Sequence, residues 1–145
     1  MAGARVTTET QRDSIATKVR PRVSVIVPLY NEQESVRPLY AAIVQSLGEL
    51  GCPFEMVFVD DGSVDDTVAI VRDIARIDSR LKLVKFRPNY GQTPATAAGI
   101  GYATGEVLVT MDGDLQNDPA DIGALLDKIQ EGYDIVVGWR FNRQG

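Results

Sequence analysis

Two aspartates follow the fourth of five Val- and Ile-rich runs, and their spacing suits a site for a divalent cation. In extended backbone, Asp112 and Asp114 would point the same way, roughly 6.6 Å apart. Two carboxylates held in one cleft repel each other, and a divalent cation removes that cost. Hard oxygen ligands suit Mg²⁺ or Mn²⁺, and Gln116 adds an amide oxygen at the same spacing. A solvated turn, with Gly113 allowing tight geometry, is the alternative interpretation.

Other polar and aromatic residues follow other apolar runs. Tyr30 and Glu32 come after the first run, where they can stack on a nucleobase and bind a base or ribose. Asp61 comes after the second run and can accept a hydrogen bond from a base N–H. Arg140 comes after the fifth run and can neutralise diphosphate oxygens with two hydrogen bonds. The first two of these loops also have a plain structural interpretation as a turn and the start of a helix, with Tyr30 in simple packing, and Arg140 has one as an exposed charge.

The composition excludes several kinds of chemistry and of partner. The 145 residues contain no histidine, which excludes Ser-His and Cys-His triads and zinc sites that need histidine. The one cysteine, Cys52, cannot form an intrachain disulfide. With 15 basic and 20 acidic residues the net charge is -5, which argues against nucleic acid as a partner. The loop after the first apolar run contains no glycine, which argues against NAD or FAD.

The sequence also bears on location. No apolar run reaches the roughly 18 residues that a membrane-spanning helix needs, and the N-terminus lacks the apolar core of a signal peptide. We therefore expect a cytoplasmic protein, with peripheral contact at the cytoplasmic face of a membrane as the alternative. Four basic residues near the N-terminus would make that contact with anionic lipid. They are Arg12, Lys18, Arg20 and Arg22.

Short apolar runs alternate with amphipathic stretches along the chain, which predicts strands and helices in turn. The predicted strands are residues 23–27, 56–59, 81–86, 107–111 and 135–137. They are apolar at nearly every position, as in strands that helices cover on both faces. The predicted helices are residues 34–50, 65–77, 93–102 and 119–132. The sequence thus predicts an α/β fold of three layers with a mostly parallel sheet, formed by residues 22–145 after a mobile tail of residues 1–21. Ligands bind beyond the carboxyl ends of parallel strands, so we expect the loops described above to meet at one edge.

Taken in order, these loops resemble the family-2 inverting glycosyltransferases of the GT-A fold. The resemblance rests on residues 23–32, on residues 59–63 with Asp65 and Thr67, and on residues 89–91, 105–106, 112–116 and 118–119. The Asp-Leu-Gln and Asp-Pro elements within residues 114–119 are most similar to the branch that transfers a sugar from a nucleotide to polyprenyl or dolichyl phosphate. That branch contributes to glycan biosynthesis at the cell envelope.

The resemblance implies a role for each matching residue. The residues that would bind the nucleoside of the donor are Pro28, Tyr30, Glu32, Val59, Asp61, Asp112 and Gly113. Asp112, Asp114 and Gln116 would ligate Mg²⁺ or Mn²⁺. Arg140 would contact the diphosphate, and together with Asp112 and Asp114 it would form the catalytic set.

The implied reaction is a metal-dependent transfer, with inversion, from a UDP- or GDP-sugar to a lipid phosphate. A phosphate acceptor is already ionised near neutral pH, so the reaction needs no histidine as a base. Family members usually continue beyond the matching part, so we expect a donor-binding domain that is truncated at its C-terminus. One alternative is a nucleotide-sugar-binding module without turnover. Another is a phosphotransferase of the haloacid dehalogenase type with Asp112 as its nucleophile.

Overall fold

The computed structural model describes residues 21–86, 92–115 and 118–131. Within them, four strands form a parallel sheet in the order β3-β2-β1-β4. The strands are β1 (Val23–Leu29), β2 (Phe54–Asp60), β3 (Leu81–Lys85) and β4 (Val107–Thr110). In the register of the sheet, Val25 of β1 pairs with Met56 of β2 and with Val109 of β4. The first four predicted strands are thus confirmed, whereas the fifth, residues 135–137, lies outside the described residues, as does the tail before residue 21.

In the described residues, three helices connect the four strands and a fourth follows β4, close to the positions that the sequence predicts. They are α1 (Val36–Leu50), α2 (Thr67–Ile77), α3 (Gln92–Tyr102) and α4 (Ile122–Gln130). Helix α1 ends at Gly51, whose N–H donates to the carbonyl oxygens of Leu47 and Gly48 and whose φ of 74° turns the chain out of the helix. Among the described helices, none has the length and hydropathy to span a bilayer.

The predicted start of the fourth helix at Pro119 is wrong by one turn. Pro119–Asp121 forms a 3-10 turn, and the α-helix begins only at Ile122. The Asp118 side chain accepts a hydrogen bond of 3.0 Å from the Ala120 N–H, which shapes this tighter turn. The predicted end of that helix at Gly132 lies outside the described residues.

The core has two apolar layers, one on each face of the sheet. On one face, β1 and β2 pack against α1, α2 and α4 through residues such as Met56, Leu39 and Ile122. On the other face, Ile26 and Val59 pack against α3. This arrangement confirms the predicted three-layer α/β fold, and it explains why every residue of β1 and β2 is buried.

Gly99 lets α3 approach the sheet closely. A Cβ atom at this position would lie 2.5 Å from Ile26 Cγ2 and 2.9 Å from Val59 Cγ2. Gly101, two residues further along the same helix, would place a Cβ atom with no other atom within 4 Å. The absence of a side chain is therefore a packing requirement at Gly99 and not at Gly101.

A buried ionic group ties the strands together at their amino ends. The Glu55 carboxylate of β2 accepts hydrogen bonds from Ser24 Oγ at 2.6 Å and from Thr104 N and Oγ1 at 2.7 and 3.0 Å. Lys82 Nζ of β3 completes the group at 2.8 Å. Burial by itself would raise the pKa of Glu55, but the hydrogen bonds from Lys82, Ser24 and Thr104 outweigh it and hold the pKa below its ordinary value. This group lies at the opposite edge of the sheet from the loops that follow the strands.

Candidate functional site

The loops that follow β1, β2 and β4 emerge side by side at the carboxyl edge of the sheet. Strand β1 lies between β2 and β4, and its last residue, Leu29, pairs with Asp60, the last residue of β2. On the other side, the Met111 N–H donates to the Ile26 carbonyl at 3.0 Å, so the chain leaving β4 stays beside β1. The sheet order therefore brings residues 30–35, 61–66 and 111–115 to one place, as the sequence predicts.

Carboxylates from all three loops lie close enough to interact. The pKa of Glu32 is raised, first by partial burial and then by the negative charges of Asp114, Asp65 and Asp112. Glu32 belongs to the loop after β1, Asp65 to the loop after β2, and Asp112 and Asp114 to the loop after β4. The structure thus brings together Glu32, Asp112 and Asp114, three of the residues that the sequence singles out.

The predicted nucleoside residues sit at the same edge with different exposure. Tyr30 is 44% exposed, so part of its side chain is accessible to a ligand. Asp61 is 4% exposed, and its N–H donates to the Leu29 carbonyl at 2.9 Å. Pro28 and Val59 pair across β1 and β2, and the Val59 side chain is fully buried against α3.

Gly113 packs directly against β1. A Cβ atom on this residue would lie 2.5 Å from Leu29 Cδ2 and 3.1 Å from the Pro28 carbonyl oxygen. Glycine between Asp112 and Asp114 therefore lets the loop after β4 lie against the end of β1, beside the loop that carries Tyr30. Gln116 and Arg140, the other two predicted site residues, lie outside the described residues, as do residues 89–91 of the family resemblance.

The side chain of Asp60, the last residue of β2, shapes the loop that follows this strand. Asp60 Oδ2 accepts hydrogen bonds from the Gly62 N–H at 3.1 Å and the Ser63 N–H at 3.0 Å. Asp60 therefore holds the turn, and Gly62 provides a φ of 90° within it. Of the two aspartates, Asp60 shapes the turn, and Asp61 is the one with a predicted role in ligand binding.

The loops after β1 and β4 each contain a residue in the left-handed backbone region. In the described parts of the chain, Asn31 (φ 54°) and Leu115 (φ 67°) are the non-glycine residues with positive φ. Asparagine adopts this conformation readily, whereas for leucine it is unfavourable. Such conformations persist where the surrounding structure imposes them, and they are enriched at functional sites.

Sequence reasoning did not find the hydrogen bonds that join the loops after β1 and β2. In the sequence, Ser63 and Asp65 are candidate helix caps, and Thr67 enters only through the family resemblance. In the structure, Ser63 Oγ accepts from the Asn31 N–H at 2.8 Å, and Thr67 Oγ1 accepts from the Glu32 N–H at 2.9 Å. The polar character of these residues was visible in the sequence, but the identity of their partners was not.

The protein carboxylates do not form a complete metal cage. Across residues 21–86, 92–115 and 118–131, no group of three or more carboxylate or thiol side chains is arranged so that it could hold a metal ion by itself. Mg²⁺ commonly binds through one or two carboxylates, with water and substrate phosphate at the other positions. Asp112 and Asp114 meet that smaller requirement in number and in ligand type.

Comparison with known proteins identifies the family. Residues 24–145 match the family described as Glycosyl transferase family 2. The chain belongs to this family, and its α/β sheet is that of GT-A glycosyltransferases. Family membership shows that the phosphotransferase alternative is wrong.

Two curated relatives are named as transferases or synthases that act with polyprenyl phosphates. The chain is 40% identical over 124 residues to dodecaprenyl-phosphate galacturonate synthase of Rhizobium johnstonii, covering 84% of this chain and 37% of that protein. It is 43% identical over 124 residues to undecaprenyl-phosphate 4-deoxy-4-formamido-L-arabinose transferase of an Enterobacter species, covering 85% and 38%. The chain therefore spans less than two fifths of the length of these relatives.

Solved structures share the fold. One is the mannosyltransferase PcManGT of Pyrobaculum calidifontis in complex with GDP-Man and Mn²⁺, with a TM-score of 0.58, 34% identity, and coverage of 83% of this chain and 35% of that chain. Another is S. aureus TarS 1-349 in complex with UDP, with a TM-score of 0.59, 29% identity, and coverage of 76% and 32%.

Proposed function

We propose that this chain is the donor-binding part of a glycosyltransferase that moves a sugar from a UDP- or GDP-sugar to polyprenyl phosphate, with inversion. The observation that carries the proposal is that the loop with Asp112 and Asp114 lies against the end of β1, next to the loop with Glu32, at the carboxyl edge of the sheet. Carboxylates from neighbouring loops, together with the partly exposed ring of Tyr30, suit a ligand that contains a base, a diphosphate and a divalent cation. The names of the relatives support polyprenyl phosphate as the acceptor.

In this proposal, Asp112 and Asp114 hold Mg²⁺ or Mn²⁺, with Gln116 as a further ligand. A bound cation would neutralise the charge that develops on the nucleoside diphosphate as it leaves. The carboxylates suit this task because the negative charges of Asp114 and Asp112 add to partial burial in raising the pKa of Glu32, and a cation would offset those charges. Arg140 would bind the diphosphate.

The nucleoside would lie across the ends of β1 and β2. Tyr30 would stack on the base, Asp61 would accept a hydrogen bond from a base N–H, and Glu32 would bind the ribose. Pro28, Val59 and Gly113 would line the same place through their backbone, since Val59 and Gly113 are buried.

The transfer itself is a displacement at the anomeric carbon of the sugar. A phosphate oxygen of the acceptor would form the new bond to that carbon while the bond to the nucleoside diphosphate breaks, which inverts the configuration. The acceptor oxygen is already ionised, so no side chain needs to remove a proton. In this proposal the lipid-linked acceptor would bring the reaction to a membrane surface, for which we propose the cytoplasmic face, with residues 22–145 as the donor domain and residues 1–21 as its tail.

Calorimetric titration of UDP- and GDP-sugars, with and without Mn²⁺, tests the donor and the cation together. We expect binding that depends on Mn²⁺, and Asp114→Asn should weaken it at least tenfold, about 1.4 kcal/mol. Asp127→Asn is the matched control, because it makes the same change in charge on an exposed residue of α4. Donor binding that is indifferent to Mn²⁺ and to Asp114→Asn would contradict the proposal.

A second assay separates transfer from binding alone. The chain is incubated with the donor that binds, Mn²⁺ and a short polyprenyl phosphate, and lipid-linked sugar and free sugar are measured. Formation of the lipid-linked sugar supports the proposal. Tight donor binding with neither transfer nor donor hydrolysis would instead support a nucleotide-sugar-binding module.

A further inference from the structure

The loops after β1 and β2 are joined by five hydrogen bonds between residues 31–33 and residues 63–67, which we call the interloop clasp. Two of them bond the Asn31 N–H to Ser63 Oγ and the Val64 N–H to Asn31 Oδ1, at 2.8 and 2.9 Å. Two more bond the Gln33 N–H to Asp65 Oδ2 at 3.4 Å and the Asp66 N–H to Gln33 Oε1 at 3.0 Å. The fifth bonds the Glu32 N–H to Thr67 Oγ1 at 2.9 Å. Bonds run in both directions, so each loop fixes the backbone of the other.

Thr67 connects the interloop clasp to helix α2. Its side chain is fully buried although it is polar. Its hydroxyl accepts from the Glu32 N–H and donates to Asp65 Oδ1 at 2.6 Å. Thr67 is also the first residue of α2, so this hydroxyl attaches the backbone of Glu32 to a helix that packs on the sheet.

The residues that the interloop clasp fixes are those next to the ligand in the proposed function. Tyr30 precedes Asn31, and Glu32 lies inside the clasp, whereas Asp61 belongs to the partner loop. A base held between Tyr30 and Asp61 needs both loops at one fixed separation. Loops that are set before the ligand arrives lose less conformational entropy on binding, which strengthens affinity.

We propose that Thr67 and Asn31 are positioning residues for nucleotide-sugar binding, acting through the backbone of Glu32 and the separation of the two loops. This inference rests on the proposed function. It goes further, because it assigns a role in affinity to side chains that need not touch the ligand. A purely structural role would stabilise α2 without changing the affinity for a donor.

The test compares donor binding by Thr67→Val and Thr67→Ser, measured by calorimetry with Mn²⁺. Valine keeps the shape of threonine but loses the hydroxyl, and we expect at least tenfold weaker binding. Serine keeps the hydroxyl and should bind within about twofold of the parent chain. Thr104→Val is the matched control, since it removes a threonine hydroxyl that bonds to Glu55 at the other edge of the sheet, and it should leave donor affinity unchanged.

A second variant covers the case in which Thr67→Val fails to fold. Asn31→Gly removes the acceptor for the Val64 N–H while allowing the positive φ, and Asn31 is exposed, so folding should persist. We expect at least threefold weaker donor binding, with urea unfolding showing that the variant is folded under the assay conditions.

The outcomes separate this inference from the proposed function. A parent chain that binds donors while the folded variants, Thr67→Val or Asn31→Gly, bind equally well would overturn the inference alone. Equal losses in Thr67→Val and Thr104→Val would also overturn it, since they would indicate a general loss of stability. A parent chain that binds no nucleotide-sugar would overturn the proposed function and this inference with it.

Discussion

Adding one methyl group to α3 should have opposite effects at two glycines. At Gly99, a Cβ atom would lie 2.5 Å from Ile26 and 2.9 Å from Val59, both fully buried, so neither neighbour can move into solvent. Overpacking of this kind costs about 1 to 3 kcal/mol, and two contacts below 3.0 Å place Gly99→Ala near the upper value. At Gly101 the same methyl meets nothing within 4 Å.

Both substitutions also gain helix propensity, about 0.5 to 1 kcal/mol for alanine over glycine. Gly101→Ala should therefore raise the free energy of unfolding by that amount, whereas Gly99→Ala should lower it by about 2 kcal/mol. Because the propensity gain is shared, the difference between the two variants, about 3 kcal/mol, measures the packing of α3 on the sheet.

Urea unfolding followed by far-ultraviolet circular dichroism measures these free energies, and equal slopes in urea would show that the two variants expose similar surface on unfolding. If Gly99→Ala proves as stable as Gly101→Ala, then α3 does not pack on Ile26 and Val59 as described, and the account of the second core layer is wrong.

Three further predictions concern other parts of the fold. Glu55→Gln should lower the free energy of unfolding by about 3 to 5 kcal/mol in urea titrations, because an amide cannot replace a carboxylate in a buried ion pair. An unchanged urea midpoint would show that the ion pair contributes nothing to stability. Hydrogen bonds from Arg80 lower the pKa of Asp78 to about 2. The ionised carboxylate therefore stabilises the fold by about 1 to 2 kcal/mol, after allowing for partial exposure. This contribution is present above roughly pH 4 and is lost as the pH falls through 2. Arg80→Met should remove most of this acid-dependent step in stability, and a step of the same size in that variant would argue against the ion pair as its cause. Gly113→Ala should lower both stability and donor affinity, because the added Cβ atom would lie 3.1 Å from the Pro28 carbonyl oxygen. If calorimetry shows the affinity of the parent chain, the close contact of the two loops is contradicted.

The strands and helices could be predicted because burial leaves a local pattern. Continuous apolar runs mark β1 and β2 as strands covered on both faces, and the spacing of Leu39, Ile43 and Leu47 marks the buried side of α1. In the sequence, the small residues Ala95, Ala97, Ala98 and Gly99 of α3 favour a close approach to the sheet, and the structure locates that contact at Gly99. Strand ends were less accurate: Pro28 and Asp60 read as loop residues, but both lie within strands, because pairing between neighbouring strands extends past the apolar run.

The sequence predicts which types of residue form the candidate site, but not how these residues act on one another. Tyr30, Asp61, Asp112 and Asp114 follow strands, and the rule that ligands bind at the carboxyl edge of a parallel sheet indicated that they would gather. The influence of Asp112 and Asp114 on Glu32 was not predictable, because it depends on β1 lying next to β4.

The sequence by itself determined the order of the secondary structure elements, the apolar faces and the family, since these depend on neighbouring residues and on motifs read along the chain. The tertiary structure alone decided the strand order β3-β2-β1-β4 and the interloop clasp. Asn31 and Ser63 are 32 positions apart, and no local pattern records which distant backbone N–H a hydroxyl will bond to. That choice is made only when β1 and β2 pair in register and bring the ends of the two strands together.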